Sequence, residues 1–240
     1  QQWDQAAESL RRALQLEPDR AEWHFELGQV YERTGRPELA AAEYRCALDG
    51  NTGDSGLFYR LGRAYQRSGQ HARAIEALGR AVHLGQTAEA AWYAALGESL
   101  EATGQLQSAC AAFQQAVELA PDEAAYHLAL GRVEMARRNW TAARSSLEAA
   151  VELDPSSAEA HHLLGRALEE AGDYRQALIH LTEACHLAPE HGAAHEAVGR
   201  AGLHLGAVSE AEAAFRRAVS LNPSEASPRL GLARALEAQS

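Results

Sequence analysis

The chain has 240 residues, 46% of them hydrophobic, and a formal net charge of -11, so it can bury a sizeable core but is a poor match for nucleic acid or an anionic membrane surface. All 22 basic residues are arginine. The cysteines, Cys46, Cys110 and Cys185, are odd in number and far apart, which argues against a disulfide framework. No apolar run approaches the roughly 18 residues of a membrane span, and no signal-peptide pattern is present.

The sequence repeats itself. Glycines at 28, 62, 97, 131, 165 and 199 are 34, 35, 34, 34 and 34 residues apart, and each follows Leu or Val. Twelve residues after each glycine stands an alanine, at 40, 74, 109, 143, 177 and 211. Four further on comes a large apolar residue: Tyr44, Leu78, Phe113, Leu147, Leu181 and Phe215. A second alanine follows at 47, 81, 116, 150, 184 and 218. Steps of three and four are helical, so each repeat is predicted to be a pair of helices. The small columns let the two helices of a pair approach closely, and the large column is expected to fill the gap between neighbouring pairs.

In chain order, residues 1–20 match only a second helix and its closing proline, Pro18, with Trp3 where Trp140 and Tyr174 stand later. Full repeats then run 21–54, 55–89, 90–123, 124–157, 158–191 and 192–225. Gly35, Gly69, Gly104, Gly172 and Gly206 mark the turn inside most of them, since glycine reaches positive φ at little cost. Repeat 124–157 has "ARRNW" there instead, and Asn139 is expected to take the left-handed conformation. Pro121, Pro155, Pro189 and Pro223 close four repeats. The junctions "DGNTGD" (49–54) and "LGQTAE" (84–89) have no proline, which predicts more freedom of angle there. Residues 226–240 match a first helix alone, with Leu230, Leu232 and Leu236 repeating the buried pattern. These half repeats suggest a chain cut from a longer protein.

The pattern resembles the tetratricopeptide repeat, a helix–turn–helix unit of about 34 residues, over essentially the whole chain. The resemblance implies an all-α fold, a right-handed α-solenoid of antiparallel helix pairs forming one domain over 1–240, whose first helices line a groove that takes extended peptides or helices.

Helix geometry says which side chains face that groove. The residue after each repeat glycine lies opposite the packed side of the first helix. That column reads Gln29, Arg63, Glu98, Arg132, Arg166 and Arg200, continuing to Arg234, and His162 and Tyr59 lie four residues before Arg166 and Arg63. His24, His127, His161 and His195 fall one step round, in a half-buried column. Repeat 55–89 holds five arginines and two glutamates, a net +3 between neighbours of -4 and -5. The expected partner-binding residues are therefore Tyr59, Arg63, Arg67, Arg132, His162, Arg166 and Arg200, and the expected partner is a protein or peptide segment that is acidic or ends in a carboxylate. The competing reading is a solvated face, with Arg166 paired to Glu169, Arg200 to Glu196, Arg234 to Glu237, and Glu98 neutralising Arg63 or Arg132.

Nothing in the sequence proposes a catalyst, cofactor or metal. "GDSG" (53–56) resembles a protease nucleophile segment but falls at an inter-repeat loop, and His195-Glu196 begins like a zinc-peptidase helix with Gly199 where the second histidine belongs. Cys185, His186, His191 and His195 do not have the spacing of a zinc finger. Gly199, Gly202 and Gly206 follow no strand and no lysine, as a phosphate loop requires. Two specialised grooves of the family are also unmatched. There is no lysine for a chaperone-tail clamp, and Asn51, Asn139 and Asn222 do not form an asparagine ladder on the groove face. The leading expectation is a non-catalytic interaction scaffold in the cytoplasm. The alternatives are a regulatory or oligomerising arm of a larger bacterial enzyme, such as a polysaccharide polymerase or glycosyltransferase, and a module that self-associates through its ends.

Overall fold

The computed structural model describes residues 2–49, 53–85 and 89–239. Among the described residues there are fourteen α-helices and no strand. They are α1 (Gln2–Leu16), α2 (Ala21–Arg33), α3 (Pro37–Asp49), α4 (Ser55–Arg67), α5 (His71–Leu84), α6 (Ala90–Ala102) and α7 (Leu106–Leu119). There follow α8 (Ala124–Ala136), α9 (Trp140–Leu153), α10 (Ala158–Glu170), α11 (Tyr174–Leu187), α12 (Gly192–His204), α13 (Val208–Leu221) and α14 (Ala226–Glu237). The chain divides into two compact halves, Gln1–Ala120 and Pro121–Ser240. In the first, α1 packs on α2 and the pairs α2/α3, α4/α5 and α6/α7 stack in sequence order. In the second, α8/α9, α10/α11 and α12/α13 stack likewise, and α14 packs on α13.

The periodic columns make the core. Both alanine columns and the large column are buried in every repeat. Each fully buried leucine in such a column contributes about 2 kcal/mol of apolar transfer. The large residue lies over the glycine of its own pair and also packs on the next first helix, Leu78 with Ala95 and Phe215 with Ala235, in line with the expectation that it fills the space between pairs. A Cβ on Gly165 would stand 2.5 Å from Leu181 Cγ, and one on Gly28 the same distance from the Tyr44 ring. Glycine is thus required where the first helix presses on its partner.

The turns follow one scheme. Gly35, Gly69, Gly104, Gly172 and Gly206 have φ between 69° and 82°. The residue after each returns its N–H to the carbonyl five residues back, as Arg36 does to Tyr31 (2.9 Å) and Asp173 to Leu168 (2.9 Å), which satisfies carbonyls orphaned at the helix end. In repeat 124–157 the left-handed residue is Arg138, with φ 59°, and Asn139 has φ -90°. The left-handed residue is therefore not the expected Asn139. Arg138 stands 34 residues after Gly104 and 34 before Gly172, and the register decides the position.

"GDSG" is also placed differently from expectation. Asp54 caps α4, its Oδ1 accepting from the Leu57 N–H at 2.9 Å, and Ser55 and Gly56 form the first turn of that helix. Ser157 and Asp173 cap α10 and α11 in the same way. Asn51 and the junction segments 50–52 and 86–88 lie outside the described residues, so the freedom expected there has no structural description. On α14, Leu232 packs against the cluster around Phe215, while Leu230 and Leu236 are 55% and 45% exposed.

Candidate binding site

In the first half, the arginines expected to face the groove reach carboxylates of neighbouring repeats. Arg63 Nη1 lies 3.4 Å from Glu98, which also accepts from Gln66 Nε2 at 2.8 Å. Glu32 accepts from Arg67 (3.0 Å), Arg60 (3.3 Å) and the Tyr44 hydroxyl (2.8 Å). Burial and then the Glu32 carboxylate push the Tyr44 phenol upward, so it stays protonated and donates. Tyr59 stacks on Trp92 of the next repeat, with ring centroids 5.5 Å apart. A cavity of about 610 Å³ lies beside these groups, lined by Phe25, Gln29 and Leu57 with Glu22, Glu26 and Asp54.

In the second half the pattern continues with two exceptions, Arg166 and Arg234. Arg132 lies 3.8 Å from Glu159. Arg200 holds Glu169 through both Nε (2.8 Å) and Nη2 (2.9 Å), and takes Glu196 at 3.2 Å. The Arg200–Glu196 pair was expected. The Arg166–Glu169 pair is not formed, because Glu169 is closed into a bidentate fork by the arginine one repeat later, a better geometry than a contact along one helix. Arg166 is exposed and makes no ion pair or hydrogen bond among the described residues, and neither does Arg234.

His162 departs from its expected place. It is only 7% exposed, its ring meets His191 edge-on at 4.7 Å between centroids, and its Nδ1 is buried without a hydrogen-bond partner. The cause is α12, whose N-terminus brings His191 across it. Burial, then His191, Arg166 and Arg200, lower its pKa to about 4, so it is neutral at physiological pH.

The histidine column has a role that the residue pattern alone did not reveal. His24, His127, His161 and His195 each place Nε2 on the carbonyl of the proline six residues earlier, at 2.8, 2.8, 3.2 and 3.1 Å. Arg229 does the same to Pro223 at 2.9 Å. A carbonyl only accepts, so Nε2 carries the proton. Phe58 and Tyr93 occupy this column in the two repeats whose junctions lack proline. The pairing of Pro with a donor six residues on was therefore readable, although it takes register across repeats to see it. His24 also meets Glu43 through Nδ1 at 2.6 Å; burial lowers its pKa, but Glu43 and the Pro18 carbonyl outweigh this and the net shift is upward.

Cys185, His186, His191 and His195 have separate surroundings. His195 holds Pro189, His191 faces His162, His186 lies 3.8 Å from Glu183, and burial pushes the Cys185 thiol up to about 11.

Stacked antiparallel helix pairs with close glycine contacts define an α-solenoid. The tetratricopeptide repeat family profile matches residues 1–55, 59–124, 128–189 and 162–228, and the chain belongs to that family. No curated protein matches the sequence significantly. Among solved structures, the chain is similar to YrrB, described as a TPR protein with an unusual peptide-binding site, at 23% identity and TM-score 0.69, covering 78% of this chain and 96% of that one. MamA is 24% identical with TM-score 0.65, covering 68% and 95%. The C-terminal part of a TPR repeat-containing protein from Cytophaga hutchinsonii is 16% identical with TM-score 0.73, covering 89% and 85%. At these identities the likeness is one of fold. No described helix is long and apolar enough to cross a membrane.

Proposed function

We propose that the protein is a non-catalytic scaffold that holds an extended segment of a partner protein against the groove face of its first helices. The observation that carries this reading is the column after the repeat glycines, in which Arg166 remains exposed and unpaired among the described residues and Arg63 reaches Glu98 only at 3.4 Å. A free guanidinium in a fixed helical position takes a carboxylate in bidentate fashion, so an acidic side chain or a C-terminal carboxylate is the group this face receives best. Tyr59, stacked on Trp92 and one helical turn before Arg63, offers an apolar contact on the Arg63 side of its helix. YrrB, a structure of similar fold, is described as having a peptide-binding site, which agrees with this use of the architecture.

The test is capture from lysate at low salt, comparing the wild-type chain with Arg63→Glu/Arg166→Glu. Arg200 is left intact, because reversing it would crowd a third carboxylate against Glu169 and Glu196. A partner captured by the wild type and lost from the variant supports the groove reading. The same proteins on both chains, or none, would leave the column as a solvated face. A second reading, self-association, is favoured by the exposed Leu230 and Leu236 on α14, and a sedimentation coefficient independent of concentration would exclude it.

A further inference from the structure

The positive charge of residues 55–89 does not remain free on the groove face. There Glu98 takes Arg63, and Glu32 takes Arg60 and Arg67. The other two arginines of this repeat, Arg73 and Arg80, stand on α5. With Arg45 of α3 they line a crevice of about 300 Å³ floored by Phe58, Leu61 and Tyr65 of α4. These floor residues point away from the Arg63 side of α4. Asp49 and Glu76 also line the crevice, yet none of the three guanidiniums forms an ion pair among the described residues.

Aromatic rings hold two of them instead. Arg73 lies 5.8 Å over the Tyr65 ring and Arg80 lies 5.5 Å over Phe58. Arg73 also gives one Nη1 hydrogen bond to Gln70, at 2.7 Å. A guanidinium held over a ring is restrained while most of its N–H groups stay unspent, so these are left for an incoming acceptor. Beyond Arg80 the crevice continues into a trough of about 510 Å³ past Ile75, Gly79 and Leu84. A Cβ at Gly79 would meet nothing within 4 Å, so the trough is open at that point.

We propose that this crevice is a second docking site, taking an acidic peptide segment of a partner protein. One aromatic or leucine side chain of that segment lies on the Phe58–Leu61–Tyr65 floor, and its flanking carboxylates engage Arg73, Arg80 and Arg45. The chemistry of the wall selects the partner: three unpaired cations against two carboxylates, over an aromatic base, favour acidic and apolar groups together. The site is independent of the groove reading, since it shares no residue with it.

The experiment uses the full chain and fluorescein-labelled peptides in an anisotropy titration. Glu-Glu-Phe-Glu-Glu-Leu is the probe, with Glu-Glu-Ser-Glu-Glu-Ser and Lys-Lys-Phe-Lys-Lys-Leu as comparisons. The probe is expected to bind more tightly than both. Arg73→Glu/Arg80→Glu should weaken it about tenfold or more, the loss of two charge-assisted contacts. Gly79→Trp, whose Cβ has open space and whose ring would occupy the trough, should weaken it as well, while Arg63→Glu/Arg166→Glu leaves it unchanged. Absence of binding, equal binding of the serine peptide, or a loss confined to the groove variant overturns the proposal. So does dimerisation of the wild type that Arg73→Glu/Arg80→Glu abolishes, which would make a second copy of the chain the occupant.

Discussion

His162 makes the stability of the second half depend on mild acid. Its pKa falls from an ordinary 6.5 to about 4 in the folded chain, because burial and the neighbouring His191, Arg166 and Arg200 all disfavour the imidazolium. Above pH 6.5 it is neutral in both folded and unfolded chains, and its contribution to stability is fully present. As pH drops the unfolded chain takes up a proton that the folded chain refuses, and stability is lost progressively until about pH 4. The shift corresponds to about 3 kcal/mol over the whole window and about 2 kcal/mol by pH 5. His180, lowered by burial and by His161, adds a smaller loss in the same direction. The assay is urea unfolding at pH 7.5 and pH 5.0 for the wild type and His162→Gln. The variant should lose about 2 kcal/mol less between the two pH values, with His180 common to both. An identical pH dependence, or an NMR titration of the His162 ring at 6.5 or above, would refute the reasoning.

Other consequences follow from the packing. Arg138→Gly should stabilise the chain by about 0.5–1 kcal/mol, since relief of a left-handed non-glycine residue exceeds the entropy lost with glycine; thermal unfolding reads the gain. Gly165→Ala should destabilise by about 1–2 kcal/mol, because the overlap with Leu181 outweighs the better helix propensity of alanine, and the urea midpoint reports it. His127→Phe, borrowing the residue that occupies this column at position 58, leaves the Pro121 carbonyl without its ring donor and should cost about 1 kcal/mol in the same measurement.

Most of the fold could be read in the residues because a repeat states each packing rule several times over. Glycine under the large residue, alanine in the tight columns and glycine at the turn each recur in fixed register, so the repeated helix pair is legible in the residues alone. The pattern misleads where one repeat departs from the rest. Asn139 looked suitable for a left-handed turn on residue type, whereas the spacing to Gly104 and Gly172 selects Arg138. The site was less legible, because helical periodicity predicts contacts along one helix while the ion pairs that formed cross between repeats. Glu169 lies three residues from Arg166 in sequence but is claimed by Arg200 from α12. His162 has the right phase for the groove and is covered only because His191 arrives from the next helix. The outer crevice needed both kinds of information, since a charge count located the basic repeat and the structure distinguished its paired arginines from its free ones.

The central claim is that partner segments lie along the first helices. Hydrogen–deuterium exchange of the full chain, with and without a partner captured by the wild type, tests this most directly. The account predicts new protection in α4, α8, α10 and α12, lost again in Arg63→Glu/Arg166→Glu. Protection confined to α1 and α14, or to the second helices of both halves, would contradict it.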